Sequence, residues 1–252
     1  MNVEPVACLT DNYAYLVWQA NSREALVVDP SASGPVLEAL EAHSLRLAGI
    51  LCTHHHWDHV GGIEELCRKQ PRRLFVYCSD YDLPRINGAT RGLHDTEQFD
   101  CIGLDFRCLS VPGHTLGALA YCVQDTVFTG DTLFGAGCGR LFEGTPKLMQ
   151  ASLMTLAALP GSTKVYFGHE YTRANLAFAR AVEPNNSALQ ARIERAAQGC
   201  TTPSTIAEEC TTNPFLRCNE TSIRQALGPQ FSQSEGHEVF AELRRRKDGF
   251  RA

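Results

Sequence analysis

The run from His54 to His59 constrains this chain more than any other feature, because it places several imidazoles and a carboxylate within six positions. The run reads His-His-His-Trp-Asp-His. Protonated imidazoles so close together repel one another, and a carboxylate is costly to bury without a compensating charge. A bound cation offsets both costs. The run therefore predicts a metal site, and nitrogen and oxygen ligands without thiolate suit zinc, iron or manganese.

Further potential ligands follow short apolar segments of the kind that form strands. Besides His54, they are His114, Asp131 and His169. A glycine directly precedes each of these three residues, so the backbone can bend sharply at that point. We therefore expect several strand ends to deliver their side chains to one shared site.

The candidate ligands are too many for one metal ion. They are His54, His56, Asp58, His59, His114, Asp131 and His169. A catalytic zinc commonly takes three protein ligands and a water, so we expect two ions. Asp131 is the expected bridge, because one carboxylate can hold two cations roughly 3.5 to 4 Å apart. The remaining histidines are interpreted as structural: His43, His55, His94 and His237.

Composition argues against several classes of protein. No apolar run approaches the roughly 20 residues that span a bilayer, and the N-terminus lacks the basic start and apolar stretch of a signal peptide. The net charge of -5 argues against a nucleic-acid partner. The 11 cysteines show no Cys-x-x-Cys motif and mostly lie in apolar runs, which favours free thiols in the cytoplasm.

Strand-like segments alternate with helical patterns up to about residue 170, which indicates sheets covered by helices. Strands are expected at 14–18, 25–29, 49–53, 74–78, 106–111, 118–123, 126–129 and 164–167. Helices are expected at 35–43, 60–69, 145–159, 173–182, 188–198, 203–210 and 235–248. Because helical patterns dominate after residue 171, we expect a catalytic domain over 1–171 and a helical substrate-binding domain over 172–252.

The metal motif resembles that of the metallo-β-lactamase superfamily, whose fold is a four-layer αβ/βα sandwich of the α/β class. In that pattern, one metal is held by His54, His56 and His114, and the other by Asp58, His59 and His169, with Asp131 between them. Within the superfamily the chain is most similar to the glyoxalase II family, over essentially its whole length. The similar segments are 11–13, 28–30, 112–115, 130–134, 137–140, 142–145, 168–172, 213–217 and 246–248.

The resemblance implies a catalytic domain followed by an all-helical domain, and a binuclear thioesterase. The implied reaction converts S-D-lactoylglutathione to glutathione and D-lactate, in methylglyoxal detoxification. Two cations that share a water lower its pKa, so a hydroxide bridging the metals is the expected nucleophile. Asp58 and Asp131 are the expected catalytic residues, and Asp58 can also orient the hydroxide. Zinc is the expected metal, with iron or manganese as alternatives.

Glutathione carries two carboxylates, so cationic contacts are expected. The family pattern implies that substrate is bound by Arg140, Phe142, Tyr171, Arg244 and Lys247. Phe142 replaces a tyrosine of some relatives, so a hydroxyl contact is missing there. A charged helix end that only faces solvent is the alternative for the basic segment 244–247.

One residue of the motif departs from the family pattern, and one residue before it has two possible roles. Trp57 stands where many relatives have a histidine, at a position that is not a ligand. Asp29 either orients a ligand histidine or begins the turn before Pro30. Other interpretations remain open: a persulfide dioxygenase, a lactonase or a tRNA-processing nuclease of the same superfamily, or a metal-binding protein without activity. We expect a monomer.

Overall fold

The computed structural model describes residues 1–197 and 199–251. These residues form two units, of which one comprises Met1–Ser110 and Gly117–Gly130 and the other Val111–Leu116 and Asp131–Ala252. Each unit is assembled from separate stretches of sequence, so no single cut in the chain divides one from the other. The boundary after residue 171 follows a change from strand to helix patterns and remains a prediction.

A mixed sheet in the first unit takes its strands in chain order. They are β1 (Asn2–Cys8), β2 (Asn12–Trp18), β3 (Glu24–Val28), β4 (Arg46–Leu51), β5 (Phe75–Ser79) and β6 (Arg91–Leu93). Strands β1 to β3 are antiparallel and β3 to β6 are parallel. Val28 pairs with Leu51, so the carboxyl ends of β3 and β4 lie at the same edge.

The helices of the first unit are α1 (Ser33–Ala42), α2 (Trp57–Val60) and α3 (Ile63–Lys69). The helix expected over 60–69 begins three residues later, as α3, because the chain breaks between α2 and α3 at Gly61 and Gly62. A Cβ at either glycine would lie 2.8 Å from a carbonyl oxygen, of Ser31 or of Pro30. The backbone therefore passes too close to the loop after β3 for any larger residue.

Four antiparallel strands complete the described part of the first unit: β7 (Gln98–Cys101), β8 (Leu104–Ser110), β9 (Leu119–Val123) and β10 (Thr126–Gly130). Aromatic rings fill their inner face, with Phe99 stacked on Phe106 at 5.4 Å and edge-on to Tyr121. The Tyr121 hydroxyl donates to the Cys52 carbonyl oxygen at 2.8 Å. This bond satisfies a buried hydroxyl and ties the strands to the end of β4.

The second unit is mainly helical. Its elements are β11 (Leu133–Phe134), β12 (Gly137–Cys138), α4 (Pro146–Ala157), β13 (Lys164–Phe167), α5 (Thr172–Val182), α6 (Ser187–Ala196), β14 (Ser204–Thr205), α7 (Ile206–Thr212), α8 (Thr221–Leu227) and α9 (Gly236–Gly249). The helix expected from residue 203 begins later, because Ser204 pairs with Val165 in β13. Residue 198, the expected end of another helix, lies outside the described residues.

Apolar rings hold the helices of the second unit together. Phe215 packs against Phe178 at 6.1 Å and against Phe240 at 5.5 Å, and all three rings are buried. Helix α9 begins with a capping box, in which the side chains of Glu235 and Glu238 each accept a backbone N–H at the helix start. The capping box and the packing of Phe240 both favour a helix here, which is why α9 lies almost where the sequence predicts it.

The helices and cysteines of the described residues bear on two predictions from the sequence. No helix among residues 1–197 and 199–251 is long and apolar enough to cross a membrane. The cysteines are free thiols, as predicted. Burial raises the pKa of the Cys78 and Cys108 thiols to about 12, so these two residues behave as small apolar side chains.

Candidate metal centre

The first unit carries the histidine run directly after β4. His54 and His59 are buried, whereas His56 and Asp58 are partly exposed. The Nε2 atom of His54 lies 3.1 Å from Nδ1 of His56, and the ring centroids of His54 and His59 are 4.2 Å apart. Imidazoles packed this closely repel one another when charged, and a bound cation is the means of stabilising them as neutral ligands.

Asp29, at the end of β3, holds His59 in place. Its Oδ2 lies 3.0 Å from His59 Nδ1 and accepts a bond from Thr53 Oγ1 at 2.6 Å, while Oδ1 accepts from Thr53 N at 2.7 Å. An ionised carboxylate only accepts hydrogen bonds, so Nδ1 of His59 carries the proton. Its Nε2 therefore keeps the lone pair that a metal needs. This geometry matches the orienting role, the first of the two alternatives for Asp29.

The short helix α2 brings His59 to that carboxylate. The helix is a single turn, which is closed by the hydrogen bond from Gly61 N to Trp57 O at 2.7 Å. The next residue, Gly62, donates its N–H to the Pro30 carbonyl oxygen at 2.8 Å. The paired glycines thus dock α2 on the loop that begins at Asp29, which places the histidine of the helix against the carboxylate of the loop.

Sequence reasoning missed the role of Asn12, which is buried at the start of β2. Its side-chain Nδ2 donates to Asp58 O at 3.0 Å and to Asp58 Oδ2 at 3.1 Å. These bonds fix both the backbone and one carboxylate oxygen of a predicted ligand. The available signal was indirect, because Asn12 lies in segment 11–13 of the family resemblance but has no chemistry that marks it as part of a metal site.

His55 is directed at a different partner from its neighbours in the run. Its Nδ1 lies 3.1 Å from Oδ1 of Asp82, whose side chain is fully buried. A Cβ on Gly117 would lie 2.5 Å from the same carboxylate, so only glycine leaves room for it. The contact agrees with the structural interpretation of His55.

The second unit brings together the other predicted ligands. Oδ2 of Asp131 lies 3.4 Å from His114 Nε2 and 3.3 Å from His169 Nε2. All three side chains are buried. A single carboxylate oxygen thus faces two imidazole nitrogens, which is the relation expected of a ligand shared between two metal ions.

The backbone around Arg140 sets the orientation of His114. Nδ1 of His114 lies 2.8 Å from the carbonyl oxygen of Arg140, which can only accept a hydrogen bond. Nδ1 therefore carries the proton, and Nε2 keeps the lone pair that a metal ligand needs. A Cβ at Gly139 would lie 3.0 Å from His114 Nδ1 and 2.0 Å from the Asp131 carbonyl oxygen. Glycine is thus required where the chain passes these two ligands.

Aromatic side chains predicted to bind substrate lie against the ligands of the second unit. Phe142 is 63% exposed and meets the His114 ring edge-on at 5.1 Å. Tyr171 is 38% exposed and stacks on the His169 ring at 4.8 Å, with an interplanar angle of 4°. Arg140 is exposed. Phe142 and Tyr171 are therefore accessible to a molecule bound at His114 and His169.

Arg244 is buried and already engaged within the second unit. Its Nη1 donates to the Cys138 carbonyl oxygen and its Nη2 to Asp248 Oδ1, both at 2.9 Å. Its guanidinium carbon lies 5.2 Å from the centre of the Phe215 ring. Arg244 thus holds the backbone shortly before Arg140, in addition to the substrate contact implied by the resemblance.

Lys247 is half-buried on the same helix. Its Nζ donates to the Ala174 carbonyl oxygen at 3.3 Å and lies 5.7 Å from the Phe178 ring centre. Burial, followed by the positive charge of Arg244, lowers the pKa of Lys247 from its ordinary value. A carboxylate bound to Lys247 would relieve this unfavourable environment.

Both sets of candidate ligands have side chains that suit a divalent metal. Each set contains imidazole and carboxylate donors, the combination that suits zinc, iron or manganese. Behind His59 stands a carboxylate, and behind His114 a backbone carbonyl, which are the partners that metal-binding histidines usually have. The residues present therefore fit a metal site in both units.

Comparison with known proteins identifies the family of the chain. Residues 9–169 match the family model described as the metallo-beta-lactamase superfamily, and residues 170–250 match the one described as the hydroxyacylglutathione hydrolase C-terminus. A hydroxyacylglutathione hydrolase from Photobacterium profundum is 45% identical over 99% of this chain and 100% of its own length. One from Methylococcus capsulatus is 46% identical over 100% of this chain and 99% of its own.

Solved structures confirm the fold. ETHE1 from Myxococcus xanthus has a TM-score of 0.69 at 24% identity and covers 96% of this chain and 90% of its own. TTHA1623, solved in a di-iron-bound form, has a TM-score of 0.63 at 29% identity and covers 85% of this chain and 100% of its own. The predicted fold class, a metallo-β-lactamase fold with a C-terminal helical region, is therefore confirmed. Taken with the full-length relatives, these matches establish that the chain belongs to the hydroxyacylglutathione hydrolase family of the metallo-β-lactamase superfamily.

Proposed function

We propose that the chain hydrolyses the thioester S-D-lactoylglutathione to glutathione and D-lactate, and so acts in methylglyoxal detoxification. The observation that carries the proposal is the Asp131 carboxylate oxygen, which faces the Nε2 atoms of both His114 and His169. A shared carboxylate of this kind is typical of two-metal hydrolases. The names of the full-length relatives supply the substrate class.

The proposed cofactor is a pair of divalent cations. His54, His56 and His114 would hold one, and Asp58, His59 and His169 the other, with Asp131 shared. When bound, the cations would lower the pKa of a shared water and polarise the thioester carbonyl. Zinc is the first proposal, with iron or manganese as alternatives; the di-iron form of TTHA1623 supports two metals and leaves their identity open.

The side chains around the metals would position both reactants. Asn12 fixes the Asp58 carboxylate by a hydrogen bond. A carboxylate held in one position could accept a hydrogen bond from the attacking oxygen and so orient it. We propose that Arg140, Phe142 and Tyr171 line the substrate. The leaving thiolate has an intrinsic pKa near 9, about that of free cysteine, so it departs without a strong general acid. No serine or cysteine nucleophile enters the scheme.

Specificity for glutathione would come from cationic side chains. Lys247 is half-buried beside aromatic rings, and burial and the nearby Arg244 charge lower its pKa, so a substrate carboxylate is a favourable partner. Arg244 would act with it, both by charge and by holding the Cys138 carbonyl. We further propose a monomer in the cytoplasm, without a nucleic-acid partner, in keeping with the net charge of -5.

Hydrolysis of S-D-lactoylglutathione by the purified, metal-loaded protein tests the proposal. Loss of thioester absorbance should be fast with this substrate and should stop when a chelator removes the metal. A simple lactone and a glutathione persulfide serve as comparison substrates. Metal-dependent turnover of either one, with lactoylglutathione left intact, would replace the thioesterase by a lactonase or a persulfide dioxygenase.

A further inference from the structure

The hairpin formed by β11 and β12 lies between a predicted metal ligand and a predicted substrate contact. Asp131 precedes it and Arg140 follows it in the sequence. Leu133 pairs with Cys138, and the tip between the strands includes Ala136, whose φ of 53° is in the left-handed region. Strands of two residues with a strained tip are not stable alone, so neighbouring side chains must hold the hairpin.

One side chain from the middle of α7 and one from its C-cap hold it. Glu209 Oε2 accepts the Ala136 N–H at 2.8 Å, and Asn213 Nδ2 donates to the Gly137 carbonyl oxygen at 2.9 Å. Both Glu209 and Asn213 are fully buried. Asn213 Nδ2 also donates to Phe134 O at 3.4 Å, so it spans both strands. The hairpin tip therefore depends on hydrogen bonds supplied from about 75 residues further along the chain.

Glu209 also forms a buried ion pair with α6. Arg192 of α6 donates to Glu209 Oε1 and, at 2.6 Å, to Thr212 Oγ1. Burial opposes the charge on Arg192, but the Glu209 carboxylate beside it raises its pKa above the ordinary value. An ionised Glu209 only accepts hydrogen bonds, which suits the Ala136 N–H and the Asn213 amide.

The open end of the hairpin lies beside two predicted metal ligands, Asp131 and His114. Thr132 Oγ1 donates to the Val111 carbonyl oxygen at 3.1 Å, next to the loop that leads to His114. The Arg140 carbonyl fixes the His114 ring, and there is no room for a side chain at Gly139 between His114 and Asp131. A displacement of the hairpin would therefore move Asp131, the Arg140 carbonyl and the His114 ring together.

We propose that Glu209 and Asn213 are positioning residues for the reaction proposed above, which set the places of Asp131 and Arg140 through the β11–β12 hairpin. Neither residue contains the reacting atoms or contacts the predicted ligands directly in the described contacts. Their effect passes through the backbone of residues 132–139. The segment 213–217, part of the family resemblance with no role in the proposed chemistry, gains a function in this way.

Matched variants separate this role from ordinary stability. Glu209→Gln keeps the shape of the side chain but weakens the acceptor, and Asn213→Ala removes the donor. The control is Glu183→Gln, which makes the same change at another buried carboxylate of the second unit. Glu183 is bound by Arg217 at 2.9 and 3.0 Å and by Ser222 at 2.5 Å.

Zinc affinity of the metal-free proteins, measured by competition with a chelator, is the first readout. We expect Glu209→Gln and Asn213→Ala to weaken it about 10-fold, as loss of outer partners does at metal sites. We also expect a lower kcat with lactoylglutathione and a smaller change in KM. Zinc affinity equal to that of Glu183→Gln would overturn the proposal. This readout stands even if the substrate assignment fails.

Hydrogen exchange of the unmodified chain gives a second test that does not depend on variant folding. If the hairpin positions a metal ligand, metal binding must stabilise the hairpin in return. Adding zinc alone should therefore slow exchange across residues 133–138 relative to α8. Exchange in the hairpin that is insensitive to zinc, while zinc binds, contradicts the proposal.

Discussion

Asp29 shows at the scale of one residue how a backbone conformation and a chemical role can coincide. Its φ of 50° lies in the left-handed region, which aspartate tolerates better than most side chains do. That conformation turns the chain from β3 towards Pro30 and directs the carboxylate at Thr53 and His59. The turn conformation and the contact with His59 thus occur together, so the orienting role of Asp29 does not exclude its role in the turn.

Replacing Asp29 by asparagine tests that role. The amide could offer one oxygen but would turn an NH2 group towards Thr53 or His59, so His59 would lose its fixed tautomer. We expect Asp29→Asn to weaken zinc binding by about 10- to 100-fold in a chelator competition. The exposed Asp100→Asn is the control. Equal zinc affinity in the two variants would reduce Asp29 to a turn residue.

Adding a hydroxyl group to Phe142 tests whether this residue contacts the substrate. Because the ring is largely exposed and lies beside His114, a hydroxyl added to it would be accessible to a substrate bound there. If Phe142 lines the substrate, Phe142→Tyr should lower KM for lactoylglutathione a few-fold, the worth of about 1 kcal/mol for one new hydrogen bond. Phe75→Tyr, at another exposed ring, is the matched control. An unchanged KM would remove Phe142 from the substrate contacts.

The candidate ligands could be predicted from the sequence because histidine and aspartate are recognisable as potential metal ligands by residue type alone. Asn12 was not, because its amide becomes important only when the start of β2 meets Asp58, 46 residues away. Glu209 was hidden for the same reason. Its 73-residue separation from Ala136 is a fact of the fold that no local pattern contains.

At the scale of elements, helices with their own start and stop signals were predicted well. Helix α9 has its capping box, and α4 has Thr145 as an N-cap, whose hydroxyl accepts from Leu148 N. The break between α2 and α3 was missed because paired glycines lower helix propensity without fixing where the helix ends. Their close approach to Pro30 and Ser31 is what forces the break.

Helix α9 also yields a prediction about pH. Lys247 can bind a carboxylate only while protonated, and its pKa is lowered by burial and by Arg244. The rise of KM with pH should therefore begin below the ordinary lysine pKa of about 10.4. Lys247→Arg keeps its charge and should flatten this rise, whereas the exposed Lys147→Arg should not. KM profiles that are the same in all three proteins would exclude Lys247 as a substrate contact.

The same shift has a consequence for stability. Because the unfolded chain binds this proton more tightly than the folded chain, charged Lys247 opposes folding at pH values below its lowered pKa. That cost disappears as the pH rises through the folded pKa towards the unfolded one. A bound carboxylate would raise the pKa again and remove the cost at lower pH.

At the scale of the whole molecule, apolar periodicity predicted most of the buried strands and failed at the margins. Strand β1 contains Pro5 and lies at a sheet edge, where a missing N–H is tolerated. Strands β11 and β12 are too short to show a period. The expected division after residue 171 follows the change from strand to helix patterns, whereas compactness groups 111–116 with the later residues. Contacts distant in sequence decide such groupings.

Metal stoichiometry measured together with turnover tests the central claim, a binuclear thioesterase, most directly. Metal-free protein would be titrated with zinc while bound metal and hydrolysis of S-D-lactoylglutathione are followed in the same samples. A binuclear site predicts that full activity requires two zinc ions per chain, and that Asp131→Asn loses both the second ion and turnover. Full thioesterase activity with a single bound ion would contradict it.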